Sequence, residues 1–225
     1  MKEMLYKHSR RFQPSGQRLA KPEILNKQNL KQKVIMETLK VFILCGGKSS
    51  RMQSEKGLVL FQNKPFIEHI IQAILPITDN ITLITNTKEY DYLPYTKIPD
   101  IVTDKGPLGG IYTALSNSES EFNLILSCDI PLISTELLSE LISKQNDEAE
   151  ISVFASESRM HPLIGIYSKK VLPVIKSAID NNDLKMMNLI ANVPHQIIKI
   201  NESENFHLTN INSADELNDL NINLS

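Results

Sequence analysis

The stretch Leu39-Lys40-Val41-Phe42-Ile43-Leu44-Cys45-Gly46-Gly47 decides the fold. It is a short, partly β-branched apolar run that stops at two glycines, the pattern of a buried strand entering a loop. An apolar run without alternation belongs to a strand covered on both faces, as in a parallel sheet. Working outward, the pattern returns: residues 81–85, 98–103 and 122–127 read as strands, the second ending at Asp104 and the third at Cys128-Asp129. Further strands are expected over 151–155, 163–167 and 197–200. Phe66, Ile70 and Ile74 at helical spacing place a helix from Pro65 to residue 75. Gly106-Pro107 breaks the chain before a helix from 109 to 115, and Pro131 and Ser134 lead to one over 135–144. Helices are also expected over 171–181, 184–192 and 213–220, the last with Ser213 as N-cap. Strands alternating with helices predict an α/β fold: a mostly parallel sheet with helices on both faces.

In such sheets ligands sit beyond the carboxyl ends of the strands. Gly46-Gly47, Asp104 and Cys128-Asp129 all fall there, and six of the eight glycines lie between Gly46 and Gly110. The 225 residues suit one large domain, or a domain with an appendage. Residues 1–40 carry ten Lys/Arg against three Asp/Glu, whereas the rest carry fourteen against twenty-three. The division expected is a basic, flexible extension over 1–38 and one domain over 39–225. The basic arm suits either a solvated extension or an anionic partner, but the acidic remainder and few aromatics disfavour nucleic acid. No apolar window approaches a membrane span and no signal-peptide pattern opens the chain, so a cytoplasmic protein is expected. Two distant cysteines, Cys45 and Cys128, give no disulfide framework or zinc motif and read as reduced, buried hydrophobes.

The chemistry centres on 44–56. Paired glycines let backbone N–H groups approach an anion, and Arg51 and Lys56 add two cations close by. These can neutralise a triphosphate; the same residues also suit a plain turn before an exposed basic segment. Neither GxxxxGK[ST] nor GxGxxG occurs, which disfavours an ATPase or a dehydrogenase. No Ser-His-Asp arrangement is evident. Asp129, at the end of an apolar strand, suits either a Mg²⁺ ligand, since nucleotide-bound Mg²⁺ takes one or two protein carboxylates, or a turn aspartate before Ile130-Pro131. The glycines after Pro107 suit close approach to a ligand or close helix–sheet packing.

Leu44-Cys45-Gly46-Gly47-x-Ser49-x-Arg51-Met52, followed by Lys56, closely resembles the Leu-Ala-Gly-Gly-x-Ser-x-Arg-Met-Gly…Asp-Lys signature of the molybdenum cofactor guanylyltransferases. Further elements follow in the same order. Asn63-Lys64-Pro65 resembles that family's Gly-Lys-Pro, and Asp104…Gly106-Pro107-Leu108-Gly109-Gly110 its Asp…Gly-Pro-Leu-Ala-Gly. Cys128-Asp129-Ile130-Pro131 resembles its Cys-Asp-x-Pro, and His161-Pro162 a His-Pro element. Asn210-Ile211-Asn212-Ser213-x-x-Glu216-Leu217 resembles its closing Asn-x-Asn-Thr-x-x-Glu-Leu. Cys45, Gln53 and Glu55 depart from the family's Ala, Gly and Asp.

The resemblance implies a Rossmann-like nucleotidyltransferase (GT-A-like) fold. It implies an enzyme that moves GMP from GTP to the terminal phosphate of molybdenum-bearing molybdopterin. Partners in cofactor biosynthesis or recipient apo-enzymes would follow; no membrane or nucleic acid is implied. Leu44, Cys45, Gly46, Gly47, Asn86 and Asp104 would contact the nucleotide. Lys56 and Arg51 would stabilise the α-phosphate and the leaving pyrophosphate, and Asp129 would hold Mg²⁺, the one cofactor expected. His161 suits an acceptor-side phosphate contact or a purely structural place before Pro162. Three other readings remain open from sequence: cytidylyl transfer to molybdopterin, nucleotidyl transfer to a sugar phosphate, and a non-catalytic nucleotide or cofactor carrier.

Overall fold

The computed structural model describes residues 38–46, 55–157 and 159–223. The expected extension over 1–38 thus lies almost wholly outside the described residues, as do Gly47 and Arg51. The strands are β1 (Lys40–Leu44), β2 (Leu60–Phe61), β3 (Lys64–Pro65), β4 (Ile81–Ile84), β5 (Thr96–Ile98), β6 (Phe122–Ser127), β7 (Ile151–Ala155), β8 (Met160–Ser168) and β9 (His195–Lys199). The helices are α1 (Phe66–Ile74), α2 (Gly106–Ser116), α3 (Thr135–Lys144), α4 (Leu172–Asp180), α5 (Met186–Ala191) and α6 (Ala214–Asn223).

Seven strands form one sheet in the order β5–β4–β1–β6–β8–β7–β9. β1 pairs parallel with β4 and β6, β4 with β5, and β7 with β9. β8 alone runs the other way, antiparallel to β6 and β7. Its neighbours on both sides therefore end at the same edge as the rest.

β1 shows why the apolar run needed no alternation. Val41, Ile43 and Cys45 enter one core, with α1 and α3 packed over it. Phe42 and Leu44 enter the opposite core, under α2, α4 and α5. α1 turns Ile67, Ile70, Ile71 and Ile74 inward. At about 1.5–3 kcal/mol per fully buried aliphatic side chain, that face holds the helix to the sheet. Helices on both faces of a mostly parallel sheet are what the sequence predicts.

A small third core, built on Phe61, Phe66 and Ile211, ties the β2–β3 hairpin to α6 through Leu217 and Leu220. The hairpin turns at Gln62 and Asn63, with φ of 48° and 62°. Asparagine tolerates this left-handed region, which explains how Asn63 stands where the family carries glycine.

Of the boundaries that differ from expectation, two bear on the site. The third strand, expected over 98–103, is β5 and stops at Ile98. Pro99 follows, and its lack of an N–H ends the ladder. Gly106-Pro107 is the start of α2, not a break before it: proline occupies the first turn, where a missing N–H costs nothing. Ser134 and Ser213 cap their helices, the second as expected, accepting from Leu137 N (3.3 Å) and Glu216 N (3.2 Å). Among the described residues no helix is long and apolar enough to cross a membrane.

Candidate active site

Gly46, Asn86, Asp100 and Asp129 each lie two residues beyond the last residue of β1, β4, β5 and β6. The parallel strands bring all four to one edge, where a cleft of about 1090 Å³ opens. Leu44, Cys45, Lys56 and Asp104 also line it, so every described residue expected to meet a nucleotide lies along this cleft. The cleft has two polar ends.

At the first end stands Asp129, buried to 7% exposure. Its backbone carbonyl accepts from Ile211 N at 2.8 Å, which clamps the β6 exit to the segment before α6. Ile211 is buried, so Asn210 and Asn212 on either side of it both turn toward the cleft edge. Asn210 Nδ2 donates to Asp129 Oδ1 at 2.6 Å. Lys56 Nζ lies 3.1 Å from Asp129 Oδ2 and donates to Asn212 Oδ1 at 2.6 Å. Arg159 Nη2 donates to Asn210 Oδ1 at 2.7 Å, so a second cation joins the chain of contacts. Asn212 N is itself held by Glu216 Oε2 at 2.6 Å, from the first turn of α6.

At the other end the Asn86 amide binds one neighbour through both its nitrogen and its oxygen. Its Nδ2 donates to Asp100 Oδ2 at 3.1 Å, and its Oδ1 accepts from Asp100 N at 2.9 Å. Burial raises the Asp100 carboxyl above the ordinary aspartate value, opposed by Asn86 and Thr113. Asp100 Oδ1 is buried without a hydrogen-bond partner among the described residues. A Cβ at Gly46 would stand 3.7 Å from Asp100 Oδ2, so these two loops lie side by side at the cleft.

Asp104 lines the cleft as an exposed residue at φ 59°. It is not the residue at the strand end; with β5 cut short by Pro99, Asp100 takes that place. The backbone role expected of Leu44 and Cys45 also narrows. Cys45 N donates to Ile84 O at 2.9 Å, and Leu44 O accepts from Cys128 N at 3.3 Å, so both groups already serve the sheet. Gly109 and Gly110 serve packing: added Cβ atoms would meet Val102 O at 2.9 Å and Leu44 Cδ2 at 3.2 Å. Cys45 and Cys128 are free and buried, as expected. His161 is buried in β8, paired with Phe154, and is not part of the cleft lining.

The MobA-like NTP transferase domain matches residues 41–197, which takes in nearly all of the sheet and all four strand-end positions. The chain belongs to the MobA-like NTP transferase family. Within it, the chain is 83% identical over 190 residues to a probable molybdenum cofactor guanylyltransferase of Flavobacterium johnsoniae, covering 84% of this chain and all of that one. It is 34% identical to the protein so described in Carboxydothermus hydrogenoformans, over 74% of this chain and 84% of that one. Among solved structures, the molybdopterin-guanine dinucleotide biosynthesis protein A of Archaeoglobus fulgidus has the same fold at a TM-score of 0.71. That match is 19% identical and covers 82% of this chain and 98% of the other.

The family site suits a magnesium ion held mainly by its substrate. Among the described residues no group of three or more His, Cys, Asp or Glu could cage a metal. Magnesium on a nucleotide needs no such cage: one or two carboxylates suffice, with phosphate oxygens and waters completing the octahedron. Each Asp129 oxygen accepts one hydrogen bond and keeps further acceptor capacity. The Lys56 ammonium already marks where positive charge is stable beside that carboxylate.

The site residues not foreseen are Asp100, Asn210, Asn212 and Arg159. The two asparagines carried a signal, since Asn-x-Asn in an extended segment puts both amides on one side. Asp100 carried one too, as the residue after Pro99. Arg159 carried none, because its place depends on the β7–β8 turn.

Proposed function

We propose that the protein is a molybdenum cofactor guanylyltransferase, transferring GMP from GTP to molybdenum-loaded molybdopterin and releasing pyrophosphate. The observation that carries this reading is the 83% identity to a probable enzyme of that kind across its whole length. The Lys56–Asp129–Asn212 constellation at the strand ends supports it chemically.

The acceptor's terminal phosphate attacks the α-phosphorus of GTP. A new P–O bond forms as the bond to the β-phosphate oxygen breaks, and pyrophosphate leaves with the electron pair. The acceptor is already an anion, so no general base is required. The barrier lies in bringing two polyanions together and holding them in line. Mg²⁺, held by Asp129 and the phosphates, would supply charge neutralisation. Lys56 brings an ammonium on a long stem to the same place, and Asn210 and Asn212 keep carboxylate and ammonium apart from other partners. Arg51 belongs to the same role through the family signature.

At the opposite end, Asp100 is an acceptor-only group when ionised, with Oδ2 beside Gly46 and the buried Oδ1 without a well-formed hydrogen bond among the described residues. It suits the N–H and O–H donors of the nucleoside, with Asn86 holding it in place. Base and ribose would then lie near β4 and β5, and phosphates near β6. Pyrophosphate release with Mg²⁺ and molybdenum-loaded molybdopterin tests the reading, comparing GTP, CTP and ATP. A clear preference for GTP is expected. Turnover with CTP instead would change the product and keep the chemistry; turnover with none would refute the reading.

A further inference from the structure

Tyr90 stands directly after the wall formed by Asn86, Thr87, Lys88 and Glu89, all of which line the cleft. Its ring is fully buried. It packs beneath the cleft floor with Cys45 and Cys128, and reaches residue 57, next to Lys56. A Cβ at Gly57 would lie 2.7 Å from Tyr90 Oη, 3.3 Å from its Cε1 and 3.2 Å from Cys128 Cβ. No side chain fits there, so the backbone of residue 57 rests on the phenol. The turn itself is short: Leu58 N donates to Glu55 O at 3.0 Å, and Val59 N to Lys56 O at 3.2 Å.

The hydroxyl is what needs explaining. Tyr90 Oη is buried without a well-formed hydrogen bond among the described residues. Burial first, and then Cys128, Cys45 and Glu55, push its ionisation up, with the Gly57 backbone opposing, so it stays neutral. An unsatisfied buried hydroxyl weakens a fold, and phenylalanine would serve packing better. The atom without a well-formed bond is the one against the Gly57 backbone.

We propose that Tyr90 is a positioning residue for Lys56: its phenol oxygen supports the turn at Gly57 and so holds the Lys56 ammonium against Asp129. The tie links the nucleoside wall of the cleft to the phosphate end. It rests on the reading of Lys56 as the phosphate-binding ammonium.

The test is a set of four variants assayed for pyrophosphate release from GTP with Mg²⁺ and the molybdenum-loaded acceptor: Gly57→Ala, Tyr90→Phe, the two combined, and Lys56→Ala. Gly57→Ala should lower kcat about tenfold with KM for GTP within about twofold, the pattern of a contact made in the transition state. Tyr90→Phe should lower kcat about threefold while Tm holds or rises, because the orphan hydroxyl is gone. A merely structural tyrosine would move stability and activity in the same direction. The double variant should recover to the Tyr90→Phe level, since the oxygen that a new methyl strikes has been removed. Lys56→Ala should cost about 10²-fold in kcat.

If Lys56→Ala loses turnover while the double variant stays as slow as Gly57→Ala, the proposal is wrong and the reading of Lys56 stands. The same holds if Tyr90→Phe keeps wild-type kcat. Should Lys56→Ala turn over normally, the reading of Lys56 falls first, and the positioning role falls with it.

Discussion

Asp129 and Asp100 occupy matching places, two residues past the ends of β6 and β5, yet the chain treats them differently. Asp129 is nearly fully buried, and a cation and an amide satisfy its oxygens. Asp100 is half-buried, has no cation within the described contacts, and keeps one oxygen without a partner. A buried carboxylate is stable as a charge only where opposite charge or hydrogen bonds replace water. The Asp129 end is therefore organised around charge, and suits phosphate and metal chemistry. The Asp100 end is organised around hydrogen bonding, and suits recognition of a nucleoside. Equivalent strand positions yield different chemistry because different loops cover them: the α6 approach at one end, the β4 exit at the other.

Removing the charge at the first end should have the largest effect. Asp129→Asn keeps the size and an acceptor for Asn210, but it strips the anion from Lys56 and from the metal. We expect kcat to fall by about 10²–10³, as for loss of a central electrostatic contact. The response to Mg²⁺ concentration should be lost with it. A magnesium titration of pyrophosphate release measures both; an unchanged magnesium response would place the metal elsewhere and undo the contrast between the ends.

At the other end the expected signature is in binding. Asp100→Asn replaces an acceptor by a donor, and a hydrogen bond to a charged group contributes about 1.5–3 kcal/mol. KM for GTP should rise about 10–100-fold by that measure, with kcat within about threefold. The fold should gain at the same time. Burial raises the native pKa of Asp100, so the native state binds more protons than the unfolded one in the window just above the ordinary aspartate value. Stability then falls as pH rises through that window, and an uncharged side chain escapes the loss. A Tm higher by on the order of a degree or two at pH 7 is expected. If Asp100→Asn lowered kcat as far as Asp129→Asn does, the two ends would share one role.

The sequence made the first of these ends legible and blurred the second. Val41–Leu44 and Leu124–Leu126 are apolar on both faces, so the parallel strands and their exits at Gly46 and Asp129 could be read directly. Lys56 followed from its distance to the glycines and from the family signature. Asp100 was hidden because 98–103 looks like one strand until Pro99 is given its due. Asp104, whose nucleotide contact the resemblance implies, lines the cleft but lies beyond that strand end. The contacts around Asp129 come from 81 residues further along the chain at Asn210, from Arg159 through Asn210, and from Asn212 through Lys56. Such contacts depend on the third core and on the β7–β8 turn, neither of which has a local pattern. His161 had two readings, an acceptor-side contact or a structural place before Pro162, and its burial in β8 favours the second.

That residue gives the smallest expected effect on turnover and the clearest pH signature. His161 is 4% exposed. Burial, and secondarily the Arg159 cation, push its pKa down from 6.5 to about 4, with the Leu208 backbone opposing. Between those two values the unfolded chain binds a proton that the native state does not. Stability therefore rises with pH from about 4 to 6.5 and is flat above, as far as this group is concerned. The loss on acidification amounts to about 3 kcal/mol at most, at 1.36 kcal/mol per unit. His161→Phe removes the titrating group and fills the same apolar space. Its Tm should fall less than that of the wild type between pH 6.5 and 4.5, in thermal melts recorded across that range. Turnover at pH 7.5 should stay within about twofold, since a neutral buried ring outside the cleft touches no phosphate. A raised KM for the molybdopterin acceptor, with GTP unaffected, would instead put His161 on the acceptor path. It would then extend the charged end of the cleft past Arg159 into β8.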